Sequence, residues 1–131
     1  MKELTPMPKV VLPNYEVEVN LYLTLAEIQQ IANGVMQFDT WSEREQNKNI
    51  LTLYHATNLS KEDLEKYPYE TLVESGLVDA VTKQIRNYNK IDEALNWCES
   101  EKRALWQILK ESKPMLEAFR EKVKVHGKIK K

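Results

Sequence analysis

The chain has 131 residues, 19 lysines and arginines against 20 aspartates and glutamates, three glycines and one cysteine. That length predicts one domain with no room for a second independent core, and so few glycines disfavour phosphate-cradling loops and multi-hairpin β folds, both of which need positive φ. The net charge of −1 hides an uneven distribution: residues 120–131 hold six basic residues against Glu121, a local +5, which leaves −6 on the 119 residues before them.

Pro6, Pro8 and Pro13 lie in the first stretch of chain and exclude a helix or a central strand there. Residues 1–14 are therefore expected to be an extended arm, followed by a single helical domain over 15–119 and a basic tail over 120–131. From Tyr15 to Leu23, apolar residues alternate with Glu16, Glu18, Asn20 and Tyr22, the period of a half-buried strand. A lone strand needs a partner. The other alternating stretch, Lys122 to Lys130, is one candidate, and an edge offered by a neighbouring molecule is the other.

Thr24-Leu25-Ala26-Glu27 has the form of a capping box, and Leu25, Ile28, Ile31, Ala32, Val35 and Met36 supply the apolar face of the helix it opens. Thr40-Trp41-Ser42-Glu43 opens a second helix, polar in its first half and expected to bury Ile50, Leu51, Leu53 and Tyr54. Ser60 with Asp63 opens a short third helix that Pro68 stops. A fourth is expected from Thr71 to about Tyr88 with Gly76 inside it, where close approach of another helix would offset the roughly 1 kcal/mol cost of glycine.

From Ile91 to Val123 apolar residues recur at alternating steps of four and three, broken only by Lys102 and Ser112. This spacing predicts a long fifth helix with one apolar seam that must be buried inside the chain or against a partner. On the first alternative Leu105 and Leu109 are core residues, and truncating either to alanine would cost about 2–5 kcal/mol. Pro114 is expected to kink or break this helix after Lys110. Trp97 and Trp106 flank the seam, with packing against the second and fourth helices favoured over an interface role. The fold class is thus mainly α: a small domain of four to five helices with an extended N-terminal arm and one or two short strands.

The sequence carries no motif with the spacing of a catalytic or metal site. His55 and His126 are the only imidazoles, Cys98 reads as a small apolar residue on the seam, and no metal-ligand spacing, nucleophile elbow or phosphate loop occurs. Paired carboxylates such as Glu43 with Glu45 read as caps and solvated faces. No catalytic, cofactor or metal residues are assigned, and no small-molecule substrate is expected.

Three stretches, VEVNLYLTLAEIQQIANGV, NILTLYHATNL and ETLVESGLVDAVTKQIRNYNKIDEAL, together spanning about residues 17–95, resemble small helical proteins from phages and prophages of Gram-positive bacteria. The resemblance implies a phage setting and carries no functional residues over. With the seam and the arm, it leads to the expectation of a non-catalytic interaction protein, a particle component or assembly factor, whose partners are other protein subunits, its own copies included. A small regulator or inhibitor of a host or phage protein is the alternative, and nucleic-acid binding through the basic tail ranks third. The expected contact residues are Leu4, Val10, Val11, Leu12, Trp97, Trp106, Lys122, Lys124, Lys128 and Lys130. Without an apolar run of bilayer length or a signal-like N-terminus, the expected location is the host cytoplasm or the virion.

Overall fold

The computed structural model describes residues 3–4 and 8–129, with the side chains of residues 116, 119 and 121–129 outside the description. The described chain is mainly helical: strands β1 (Lys9–Leu12) and β2 (Val17–Asn20) precede helices α1 (Leu25–Val35), α2 (Trp41–Ala56), α3 (Lys61–Glu65), α4 (Tyr69–Glu74), α5 (Leu77–Thr82) and α6 (Asn89–Ile129). It divides into two units, residues 1–98 and 99–131.

In the first unit the partner of β2 lies within the proline-rich arm. β1 pairs antiparallel with β2 in the register Lys9↔Asn20, Val10↔Val19, Val11↔Glu18 and Leu12↔Val17. Pro8 and Pro13 flank these four residues, so neither removes a ladder donor, and the Pro8 carbonyl accepts from the Leu21 amide at 3.1 Å. The other edge of β2 is closed by a bridge from Val19 to Thr57. There Asn58 seals Glu18 twice, its Oδ1 accepting from the Glu18 amide at 3.0 Å and its own amide donating to the Glu18 carbonyl at 3.2 Å. Residues 122–129, expected as a possible strand, are helical in backbone.

Three helix starts follow their capping signals, while α4 begins at Tyr69 after Pro68 with no side-chain cap and not at Thr71 as expected. Thr24 and Glu27 form a reciprocal capping box at α1, and Ser60 and Asp63 form one at α3. At α2 the Thr40 hydroxyl accepts from the Glu43 amide but donates to the Glu43 carboxylate, so only half the box is made. Asn33 and Gly34 do not end α1. A methyl at Gly34 would come within 2.6 Å of Leu51 Cδ1, so glycine there lets α1 and α2 approach closely.

The expected fourth helix is two helices. Gly76 adopts φ 81°, a conformation that ends α4 and precedes α5. What approaches Gly76 is Tyr15 and not a helix: a Cβ would sit 3.0 Å from the phenol oxygen, which donates to the Ser75 carbonyl at 2.7 Å. The turn between α5 and α6 is tied to the start of α1 by Asn87, whose side chain accepts from the Leu23 amide and donates to the Leu23 carbonyl, both at 2.9 Å.

The core collects Val17, Val19 and Leu23, the inner faces of α1 and α2, one leucine each from α3 and α4, and Leu77, Val78, Val81, Ile85 and Ile91. Ile50 and Leu51 are partly buried, and Tyr54 is exposed, so α2 turns less of its second half inward than its apolar content suggests.

The second unit contains the part of α6 beyond Cys98. Pro114 does not break the helix. The position is exposed, so the Lys110 carbonyl that loses its intrahelical donor can be hydrated.

Candidate functional site

The largest departure from the expected burial is on α6. At its N-terminal end the seam does go inside: Ile91 is fully buried and Leu95 packs on the core. Further along, Leu105, Trp106, Ile108, Leu109 and Met115 are exposed, from 52 % at Leu109 to 75 % at Met115. Leu105 and Leu109 are therefore not core residues, contrary to the first alternative drawn from the sequence. Trp97 and Trp106 are also exposed, so neither is packed away as favoured.

The helix explains this clustering. Leu105, Ile108 and Leu109 fall three and four apart and share one face, with Trp106 on one flank and Met115 on the other. Trp106 and Leu109 line a shallow groove with the Lys110 and Lys113 stems, about 520 Å³ in volume. Basic side chains laid along an apolar groove cover its edges while keeping their charge in water. Exposed single hydrophobics are ordinary, but here leucine, isoleucine and tryptophan form a contiguous exposed stripe on a charged helix.

Two clefts are lined by described residues of the first unit. One, of about 620 Å³, lies among Tyr15, Asn58, Asp63, Lys66, Tyr67 and Ser75. Its polar groups already serve the fold: Tyr15 bonds to Ser75, and Asp63 caps α3, where hydrogen bonds from the Ser60 amide and hydroxyl hold its carboxyl below the usual value. The other, of about 420 Å³, is mostly apolar, between Ile50, Leu51, Tyr54, Leu64 and Tyr69. No buried side-chain nitrogen or oxygen among the described residues lacks a partner.

A partly buried polar cluster joins α2 to α6. Lys48 reaches Asp92 at 3.0 Å and lies 5.0 Å from the centre of the Tyr88 ring. Asn49 accepts from the Tyr88 hydroxyl at 3.4 Å and donates to the Tyr69 oxygen at 2.7 Å. Burial alone would lower the Lys48 pKa, but the hydrogen bond to Asp92 and the nearby Tyr88, Asp92 and Glu45 together raise it. Tyr88 is raised by burial, against the pull of Lys48. Each group holds its ordinary protonation more firmly, which suits structural pairing and not proton transfer at neutral pH.

His55 packs edge-on against Tyr54, and Cys98 is a partly buried free thiol. No three His, Cys, Asp or Glu side chains among the described residues are grouped to hold a metal. No described helix is long and apolar enough to cross a membrane.

Of the expected contact residues, Val10, Val11 and Leu12 lie in β1, and Trp97 and Trp106 lie on α6. Leu4 and Val11 are exposed. Val10 and Leu12 belong to β1 and pack against the core, so the arm is not free extended chain at these positions. Lys122, Lys124 and Lys128 lie on the α6 backbone with side chains outside the description, and Lys130 lies outside the described residues. Ile108 and Met115 were legible only as residues beside the seam; their exposure needed the fold. No family model, characterised relative or solved structure matches this chain.

Proposed function

We propose that this chain is a non-catalytic protein–protein interaction protein, and that it acts in a phage as a component or assembly factor of the particle. The observation that carries the reading is the exposed apolar stripe on α6, with Leu105, Ile108 and Leu109 on one face. Leaving such a stripe in water forgoes about 25 cal/mol per Å² of apolar surface, and a protein partner recovers it. The phage setting rests on the likeness of residues 17–95 to small phage and prophage proteins.

The direct test places a photo-cross-linking amino acid at Ile108 and irradiates the full chain in a lysate of cells that naturally make it. The expected result is a covalent protein adduct that Leu105→Glu with Leu109→Glu abolishes and that co-sediments with particles or their precursors. Absence of any protein adduct, with the helix intact by circular dichroism, overturns the interaction reading. An adduct that never accompanies particles overturns the assembly role.

A further inference from the structure

The breaks in the α6 stripe are placed symmetrically. Lys102 and Ser112 are the two polar interruptions, and each lies five residues from Gln107; Leu105 and Leu109 each lie two residues from it. Written as a heptad, Lys102 and Leu109 take one of the two seam positions, while Leu105 and Ser112 take the other. In an antiparallel helix pair each layer joins one position of the first kind to one of the second. A two-fold axis at Gln107 therefore sets Leu105 against Leu109 of the other copy, and Lys102 against Ser112.

We infer that the partner of this stripe is a second copy of the chain, bound antiparallel through α6 about a two-fold axis at Gln107. The inference rests on the interaction reading above and specifies its partner. Three features favour this occupant. The polar breaks fall in shared layers, where the Ser112 oxygen, whose hydroxyl hydrogen is donated to the Ile108 carbonyl, keeps lone pairs for the Lys102 ammonium. A parallel pair would instead put Lys102 against Lys102 in one layer, two like charges in an apolar seam. Charge agrees on the flank: Glu99 and Lys113 lie seven residues either side of Trp106 at equivalent heptad positions, so each Glu99 faces the other copy's Lys113. The two Trp106 rings then meet across the axis on one side and the two Ile108 side chains on the other, which covers the exposed residues nearest the axis. Isologous contact of this kind closes at two copies.

Sedimentation and light scattering of the purified full chain over about a hundredfold concentration range test the inference. The expected result is a species of twice the 15.4 kDa chain mass that Leu105→Glu with Leu109→Glu converts to monomer. Glu99→Lys or Lys113→Glu alone should raise the dimer dissociation constant roughly tenfold, and the two together should bring it back to within about threefold of wild type. In a Cys98→Ser background, a mixture of Lys102→Cys chains with Ser112→Cys chains should oxidise to a cross-linked pair, and Lys102→Cys chains alone should not. Cross-linking of Lys102→Cys chains alone overturns the antiparallel arrangement. A wild-type chain that stays at 15.4 kDa throughout overturns self-pairing; if Ile108 then cross-links to a different protein the interaction reading survives, and if it cross-links to none both fall.

Discussion

Single residues tie distant segments of the first unit together, and their removal is measurable. Asn87 satisfies both backbone groups of the buried Leu23. Asn87→Ala leaves a buried donor and acceptor unpaired and should lower unfolding free energy by about 1–3 kcal/mol in urea titration. Gly76 at φ 81° admits no other residue without strain; Gly76→Ala should cost about 1–2 kcal/mol, and the nearby Tyr15 hydroxyl leaves its methyl little space. The Lys48–Tyr88–Asp92 cluster sets an alkaline limit. Both Lys48 and Tyr88 have folded pKa values above their ordinary 10.5 and 10.0, so the folded state binds protons more tightly than the unfolded one. Their contribution is complete below pH 10 and is lost as pH rises through the folded values. Unfolding followed between pH 9 and about 12 should show stability falling, and Asp92→Asn should flatten that fall, because it removes the carboxylate that holds the Lys48 proton.

At the scale of elements, capping residues located three of the six described helix starts because a cap is a local bargain between one side chain and the amides two or three residues on. Thr24, Thr40 and Ser60 all act at the expected positions. Alternation alone could not choose the partner of β2, and Pro8 and Pro13 on either side of Lys9–Leu12 hid the neighbouring strand. The register of β1 makes a sharp prediction. Since the Leu21 amide bonds to Pro8, every second pair is hydrogen-bonded, namely Val10 with Val19 and Leu12 with Val17. In amide exchange of the full chain the Val10 and Leu12 amides should be protected and that of Val11 should exchange faster; uniformly fast exchange at all three would mean that β1 is not formed. On α6, Leu105→Ala and Leu109→Ala should leave the melting of the first unit within about 0.5 kcal/mol of wild type at dilutions where the chain is monomeric. Leu53→Ala, at a fully buried position, should cost about 2–5 kcal/mol.

For the molecule as a whole, the sequence by itself determined the helical class, the caps and the existence of a long amphipathic helix. Those properties follow from propensity and from the 3.6-residue period, which act within a few neighbours. It also carried the repeat of the α6 stripe, including its breaks at Lys102 and Ser112. It could not say which part of that stripe is covered, since a period reports that one face is apolar and says nothing of what lies against it. Tertiary structure decided that Ile91 enters the core and Leu105 stays in water. It also decided that four residues between two prolines complete the sheet, and that Gly76 divides one apolar run into two helices. The core and the α4–α5 break depend on contacts between residues far apart in sequence, such as Asn87 with Leu23 or Tyr15 with Ser75, whose free energy exists only once the chain has closed the loop between them; the hairpin is near in sequence, but its register depends on a turn that alternation does not report.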